Sequence, residues 1–175
     1  MKQHLNNFEN WLGTQFKKLP ALPKGGRDFL VDAAPWLSLI GAFLSIWAIW
    51  TIWEWARKVD RLNDYTEAWL GVSAVSDSRW TFGVWLLLVV LIVLAVFYLM
   101  AFSQLKDRKK AGWDLIFYAL LLNLAYGTVL AITNYGDFGS FLSSLAASAV
   151  GLYFLFQIRG AYAAEKKPGT KKAAP

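Results

Sequence analysis

The apolar and charged positions divide the chain into four long uncharged runs, each of at least 21 residues. These runs are residues 33–53, 80–105, 115–136 and 138–158. A helix needs about 20 predominantly apolar residues to cross a hydrocarbon core of about 30 Å. The pattern therefore predicts an all-α protein, an integral membrane four-helix bundle. We expect spans 1 to 4 at about 33–55, 80–104, 113–133 and 139–159.

The chain outside the spans supplies caps, turns and loops. Asp32 can cap span 1, with Pro35 in its first turn, where backbone N–H groups have no helical partner. Between spans 3 and 4 the stretch 134–139 has turn residues, which predicts a tight antiparallel hairpin. The loop at 56–79 has helical spacing in part, which suggests a short helix on the outer surface. Its role stays open.

The first 19 residues carry a helical apolar stripe followed by Pro and Gly. The stripe consists of Leu5, Phe8, Leu12, Phe16 and Leu19. This spacing predicts an N-terminal amphipathic helix lying in the membrane interface. The alternative is a helix that docks on a partner protein. We thus expect three parts: a cytoplasmic helix and linker at 1–26, a transmembrane domain at 27–160, and a disordered basic tail at 161–175.

The Lys and Arg residues are distributed unequally between the two sides that four crossings would define. Fourteen would lie with the two termini and the loop between spans 2 and 3, and four on the opposite side. The positive-inside rule then predicts a cell-membrane protein with both termini in the cytoplasm. The net charge of +6 indicates contact with an anionic cytoplasmic leaflet. It does not indicate nucleic-acid binding.

The composition limits the chemistry that this chain can perform. There is no Cys and a single His, His4, which excludes disulfides, thiolate metal sites and a multi-His site within one chain. The uncharged runs hold no Asp, Glu, Lys, Arg or His, the groups that pumps and intramembrane enzymes usually keep at depth. We therefore predict no catalytic residues, no cofactor and no metal site, and a protein that is not an enzyme.

Small and hydroxyl-bearing residues recur along two of the spans. Span 4 has one row of Gly139, Ser143, Ala147 and Gly151, and a second row of Ser140, Ser144 and Ser148. Span 1 has Ser38, Gly41 and Ser45, and span 3 has Asn123. Such faces let helices approach closely in lipid. We expect span 4 at the centre of the bundle against spans 1 and 3, and span 2, which is apolar all round, to have the most lipid exposure.

Two short segments resemble a known group of proteins. Ala34-Pro35-Trp36-Leu37 at the start of span 1, and residues 153–159 at the end of span 4, are similar to small uncharacterised four-helix integral membrane proteins of bacteria. The resemblance implies a fold and a membrane location. Such proteins have no assigned activity, so no catalytic residue is carried over.

Two functions are compatible with this pattern. The first is a non-enzymatic structural or interaction subunit that packs with itself, as a homo-oligomer, or with other membrane proteins. The alternative is a channel or facilitator for a small solute, which needs a continuous polar path but no titratable group. In a channel, the Ser and Asn residues above would line one water-accessible cavity. In a subunit, they would be buried in dry helix contacts.

Overall fold

The computed structural model describes residues 2–16, 18–71, 82–132 and 138–163, and these residues form five helices. The helices are α1 (Lys2–Phe16), α2 (Lys24–Leu70), α3 (Phe82–Lys106), α4 (Lys110–Ile132) and α5 (Phe138–Ala163). The described part of the chain contains no strand. The expected all-α class is thus confirmed. The expected turn at 134–139 and the tail beyond 163 lie largely outside the described residues.

Four of these helices, α2 to α5, are long and apolar enough to cross a membrane. They correspond in number and order to the four spans expected from the sequence. The bounds of α3, α4 and α5 agree with the expected helices to within a few residues at each end, which is the usual uncertainty of helix ends.

Helix α2 differs from the expectation, since it is one continuous helix of 47 residues. At 1.5 Å per residue it is about 70 Å long, more than twice the thickness of a hydrocarbon core. It begins nine residues before Ala33 and continues through much of the expected loop at 56–79. Gly71 ends it: its φ of 69° is left-handed, and its N–H donates to the Glu67 carbonyl at 3.0 Å.

Pro35 lies inside α2 rather than in its first turn, so the expected start near Asp32 is wrong. Proline has no N–H, and the carbonyl four residues earlier, that of Val31, loses its helical donor. The Tyr162 hydroxyl of α5 donates to that carbonyl at 3.1 Å. The structure therefore tolerates an interior proline because a second helix supplies the missing hydrogen bond.

The packing order of the helices follows the chain. Helix α3 lies between α2 and α4, α5 packs mainly on α4, and α2 and α5 touch over a smaller area. The expectation that span 4 is central and span 2 most exposed is therefore wrong. An apolar surface does not mark the lipid-exposed helix, because lipid tails are as apolar as leucine. Ala101 and Leu105 of α3 are fully buried.

A short, close connection joins α3 to α4. Its backbone is held by the Lys109 N–H, which donates to the Gln104 carbonyl at 2.8 Å. Gly112 makes this possible, because a Cβ there would lie 2.7 Å from the Leu105 nitrogen. In the loop, the Lys109 ammonium donates to Asp107 and lowers the pKa of that carboxyl.

Helix α1 packs on the C-terminal part of α5. We call the end of the bundle where α1, the α3–α4 loop and the C-terminal part of α5 meet the α1 end. The larger core cluster lies here and is built around residues from four helices: Val31, Leu105, Trp113, Phe117, Leu155 and Tyr162. Phe16 of α1 and Phe156 of α5 stack at 5.2 Å between ring centroids against this cluster.

Candidate functional site at the α1 end

The two small-residue rows of α5 separate into an exposed and a packed set. Gly139, Ser143 and Ala147 are exposed on the bundle surface. The packed set faces α4: a Cβ at Gly127 would lie 2.9 Å from the Ser144 hydroxyl, and one at Gly151 would lie 3.0 Å from Leu120. The rows therefore do not form a single helix-packing face.

Ser148 and Ser140 complete the second row of α5. Ser148 is 2% exposed, and its hydroxyl has no hydrogen-bond partner among the described residues. The side chain of Ser140 lies outside the part that the structure describes. Ser148 is therefore a buried packing residue in this bundle.

The small residues of α2 face α3. Ser38 and Ser45 are buried and donate to carbonyls of their own helix, those of Pro35 at 2.6 Å and Gly41 at 2.9 Å. A Cβ at Gly41 would lie 3.2 Å from the Tyr98 ring, so glycine allows this ring to lie against α2. Because these hydroxyls donate within their own helix, they need no hydrogen-bond partner from the neighbouring helix.

Asn123 is half-buried in α4, and within the described part of the chain its amide makes no hydrogen bond. Four clefts on the described bundle contain neither Ser144 nor Ser148 in their lining, and Ser38 lines only a largely apolar one. Among the described residues, Ser38, Ser144 and Ser148 therefore do not share any one of these clefts.

A charged cluster connects α1, α4 and α5 at the α1 end. Glu9 of α1 is only 6% exposed. Its carboxylate accepts a hydrogen bond of 2.6 Å from Nη2 of Arg159 and lies 3.8 Å from Nζ of Lys110. Lys110 also lies 3.7 Å from Asp114. Burial of a carboxylate is costly unless it is paired, and two cations from two other helices satisfy this one.

Aromatic rings surround the Arg159 guanidinium. Its Cζ lies 5.7 Å from the ring centroid of Trp113 and 5.9 Å from that of Phe156, within the range of cation–π attraction. The Trp113 indole is itself fixed, because its N–H donates to the Leu155 carbonyl at 2.9 Å. Arg159 is therefore held from two sides, by a carboxylate and by ring faces.

The linker between α1 and α2 is attached to α5 by polar contacts. The Pro20 carbonyl accepts from the Tyr153 hydroxyl at 2.8 Å and from the Gln157 amide at 3.3 Å. The Gln157 side-chain oxygen in turn accepts from the Leu22 N–H at 3.3 Å. The linker thus lies against α5 and is held there by these hydrogen bonds.

Two clefts are lined by residues near the α1 end, and the first of them borders the linker. The first, the basic cleft, has a volume of about 400 Å³ and is lined by Phe16, Leu19, Arg27, Phe156, Gln157 and Arg159, among others. The second, the apolar cleft, has a volume of about 260 Å³ and lies between the α2–α3 and α4–α5 pairs, where Leu30, Leu37, Leu120, Phe154, Leu155 and Ile158 line it.

Sequence reasoning missed this charged cluster. Glu9 and Arg159 are 150 residues apart in the chain, and nothing in either local sequence pairs them. One signal was present: Glu9 follows Phe8 and borders the apolar stripe of α1, a position where a solvated charge is not expected.

Known proteins give no further guide to this site. The chain matches no protein-family model, no curated protein and no solved structure. The expected resemblance to small bacterial four-helix membrane proteins thus stays a prediction.

Proposed function

We propose that this chain is a non-enzymatic, multi-pass cell-membrane protein that acts as a structural or interaction subunit, with both termini in the cytoplasm. Four helices of sufficient length and apolar character support membrane insertion. The excess of Lys and Arg at the α1 end supports the orientation. A reporter fused to Pro175 tests the orientation: cytoplasmic activity is expected, and activity on the other side would refute it.

The interaction role is supported above all by the small-residue surface of α5 that the bundle leaves uncovered. Gly139, Ser143 and Ala147 recur every four residues on this surface and are exposed. In lipid, such surfaces favour helix association because backbones approach closely. A second copy of the chain, or another membrane protein, would bury this row.

A pair of matched substitutions tests self-association. Ala147→Leu adds bulk to the exposed row, whereas Ala149→Leu makes the same change on another exposed face of α5. Energy transfer between labelled copies in detergent or vesicles should fall with Ala147→Leu and stay unchanged with Ala149→Leu. Equal behaviour of the two variants would contradict association through this row.

None of the clefts described above supports the channel alternative. It can be tested by cysteine labelling, because the chain has no native cysteine. Ser144→Cys and Ser148→Cys place thiols where a Ser-lined path would run. In the interaction subunit both thiols should resist a membrane-impermeant reagent, because both face α4 or the bundle interior. Labelling of both would favour a channel instead.

A further inference from the structure

The basic cleft contains a cation that no acid of the described chain neutralises. Arg159 is paired with Glu9, but its hydrogen bonds come from Nη2 alone, to Glu9 and Asn10. Arg27 lines the same cleft and forms no ion pair with any described residue. The cleft therefore contains the guanidinium of Arg27, which has no acidic partner among the described residues, and N–H groups of Arg159 that make no hydrogen bond to them. Guanidinium N–H groups in this arrangement suit phosphate oxygens.

The linings of the basic and apolar clefts include neighbouring positions of α2. Arg27 lines the basic cleft and Leu30, one turn later, lines the apolar cleft. The two positions are about 4.5 Å apart along the helix axis. Beyond Leu30, Ala34 and Leu37 continue the apolar lining. A ligand that fits both clefts carries a phosphate at one end and hydrocarbon at the other.

We propose that these two clefts hold one anionic phospholipid. Its phosphodiester lies in the cleft shared by Arg27 and Arg159, and an acyl chain lies against Leu30, Leu37 and Phe154. Charge complementarity selects the headgroup, and the apolar cleft accepts the chain. The proposal rests on the membrane location proposed above and adds a defined lipid site to it.

The test uses the full chain in detergent, with bound lipid counted by native mass spectrometry during titration with phosphatidylglycerol or phosphatidylcholine. We expect one tightly bound phosphatidylglycerol per chain and weaker binding of the zwitterionic lipid. Arg27→Gln should weaken phosphatidylglycerol binding about fivefold, the usual effect of one basic residue near a membrane surface. Lys24→Gln, on the same helix but outside the cleft, should have no effect.

Two outcomes would overturn the proposal. Equal weakening by Arg27→Gln and Lys24→Gln would mean diffuse attraction without a site. Competition by inorganic phosphate or by the chain-free headgroup, glycerophosphoglycerol, at concentrations similar to the lipid would mean a soluble anion site. In our proposal these soluble anions bind at least about tenfold more weakly, because they leave the apolar cleft empty.

Failure of the lipid site is distinguishable from failure of the proposed function. A chain that enters vesicles but binds phosphatidylglycerol equally well with and without Arg27→Gln would refute the lipid site alone. A chain that stays in solution without detergent and does not enter vesicles would refute both.

Discussion

The buried carboxylate of Glu9 should hold α1 on the bundle, and Glu9→Gln tests this directly. The substitution keeps the shape of the side chain and one hydrogen-bond acceptor, but it removes the charge that faces Arg159 and Lys110. The Glu9 side chain is 8% exposed and that of Arg159 28% exposed, so water screens the pair only in part. A hydrogen bond to a charged group contributes about 1.5–3 kcal/mol, and we expect a loss of about 2 kcal/mol.

This loss should appear locally, in the docking of α1, rather than in the core of the bundle. Hydrogen exchange of residues 2–16, followed by mass spectrometry in detergent, reports the free energy of opening this segment. A loss of about 2 kcal/mol corresponds to exchange about 30-fold faster. Amides of α4 should exchange at the same rate in both proteins.

Glu54→Gln is the matched control, because it removes the same charge from an exposed pair. Glu54 lies 3.8 Å from Lys58 one turn along α2, and the two side chains are 43% and 72% exposed, against 8% for Glu9. Such pairs contribute about 0.5 kcal/mol or less. If Glu9→Gln changes α1 exchange no more than Glu54→Gln does, the buried pair does not hold α1. In the double variant Glu9→Gln with Arg159→Gln, the loss of docking free energy should be smaller than the sum of the two single losses, because both substitutions remove the same contact.

Two further predictions concern the helix connections. Gly112→Ala should lower the free energy of unfolding in detergent by about 2 kcal/mol or more, because the new Cβ would meet backbone atoms of Leu105 and Gln104. Gly160→Ala is the control: a Cβ there has open space around it, and the free energy of unfolding should change by less than about 0.5 kcal/mol. Tyr162→Phe should lower the free energy of unfolding by about 1 kcal/mol, because it removes the hydroxyl that donates to the Val31 carbonyl. In a Pro35→Ala background the same substitution should change it very little, because the restored backbone N–H of residue 35 donates to that carbonyl. An equal cost in both backgrounds would contradict this account of Pro35.

The sequence predicts the number and order of the long helices well, because length and absence of charge decide what can cross a membrane. It predicts the ends of α2 poorly for a related reason. Charges at Arg57, Lys58 and Asp60 show where a chain would leave the hydrocarbon, but they do not stop a helix. The helix ends only at Gly71, where a left-handed conformation is available.

The packing order could not be predicted from composition. Hydroxyl and small residues identify faces that are able to pack, but α5 has such residues on two faces and the bundle covers only one. In α3 most buried positions are occupied by Ala, Val and Leu, which look the same as lipid-exposed positions in a one-dimensional pattern. Which face is covered depends on neighbours that short connections impose.

The position of Glu9 explains why α1 exposes part of its apolar stripe. The side that docks on α5 contains Glu9, Gly13 and Phe16, so the helix is rotated away from the centre of the stripe toward the carboxylate. As a result Phe8 and Trp11 are 41% and 55% exposed. In water these rings would be an unfavourable surface, whereas at a bilayer interface they would be solvated by lipid. One face of α1 thus packs on α5 of the same chain, while the lipid-surface helix and the helix that docks on a partner protein both stay predictions for its exposed face.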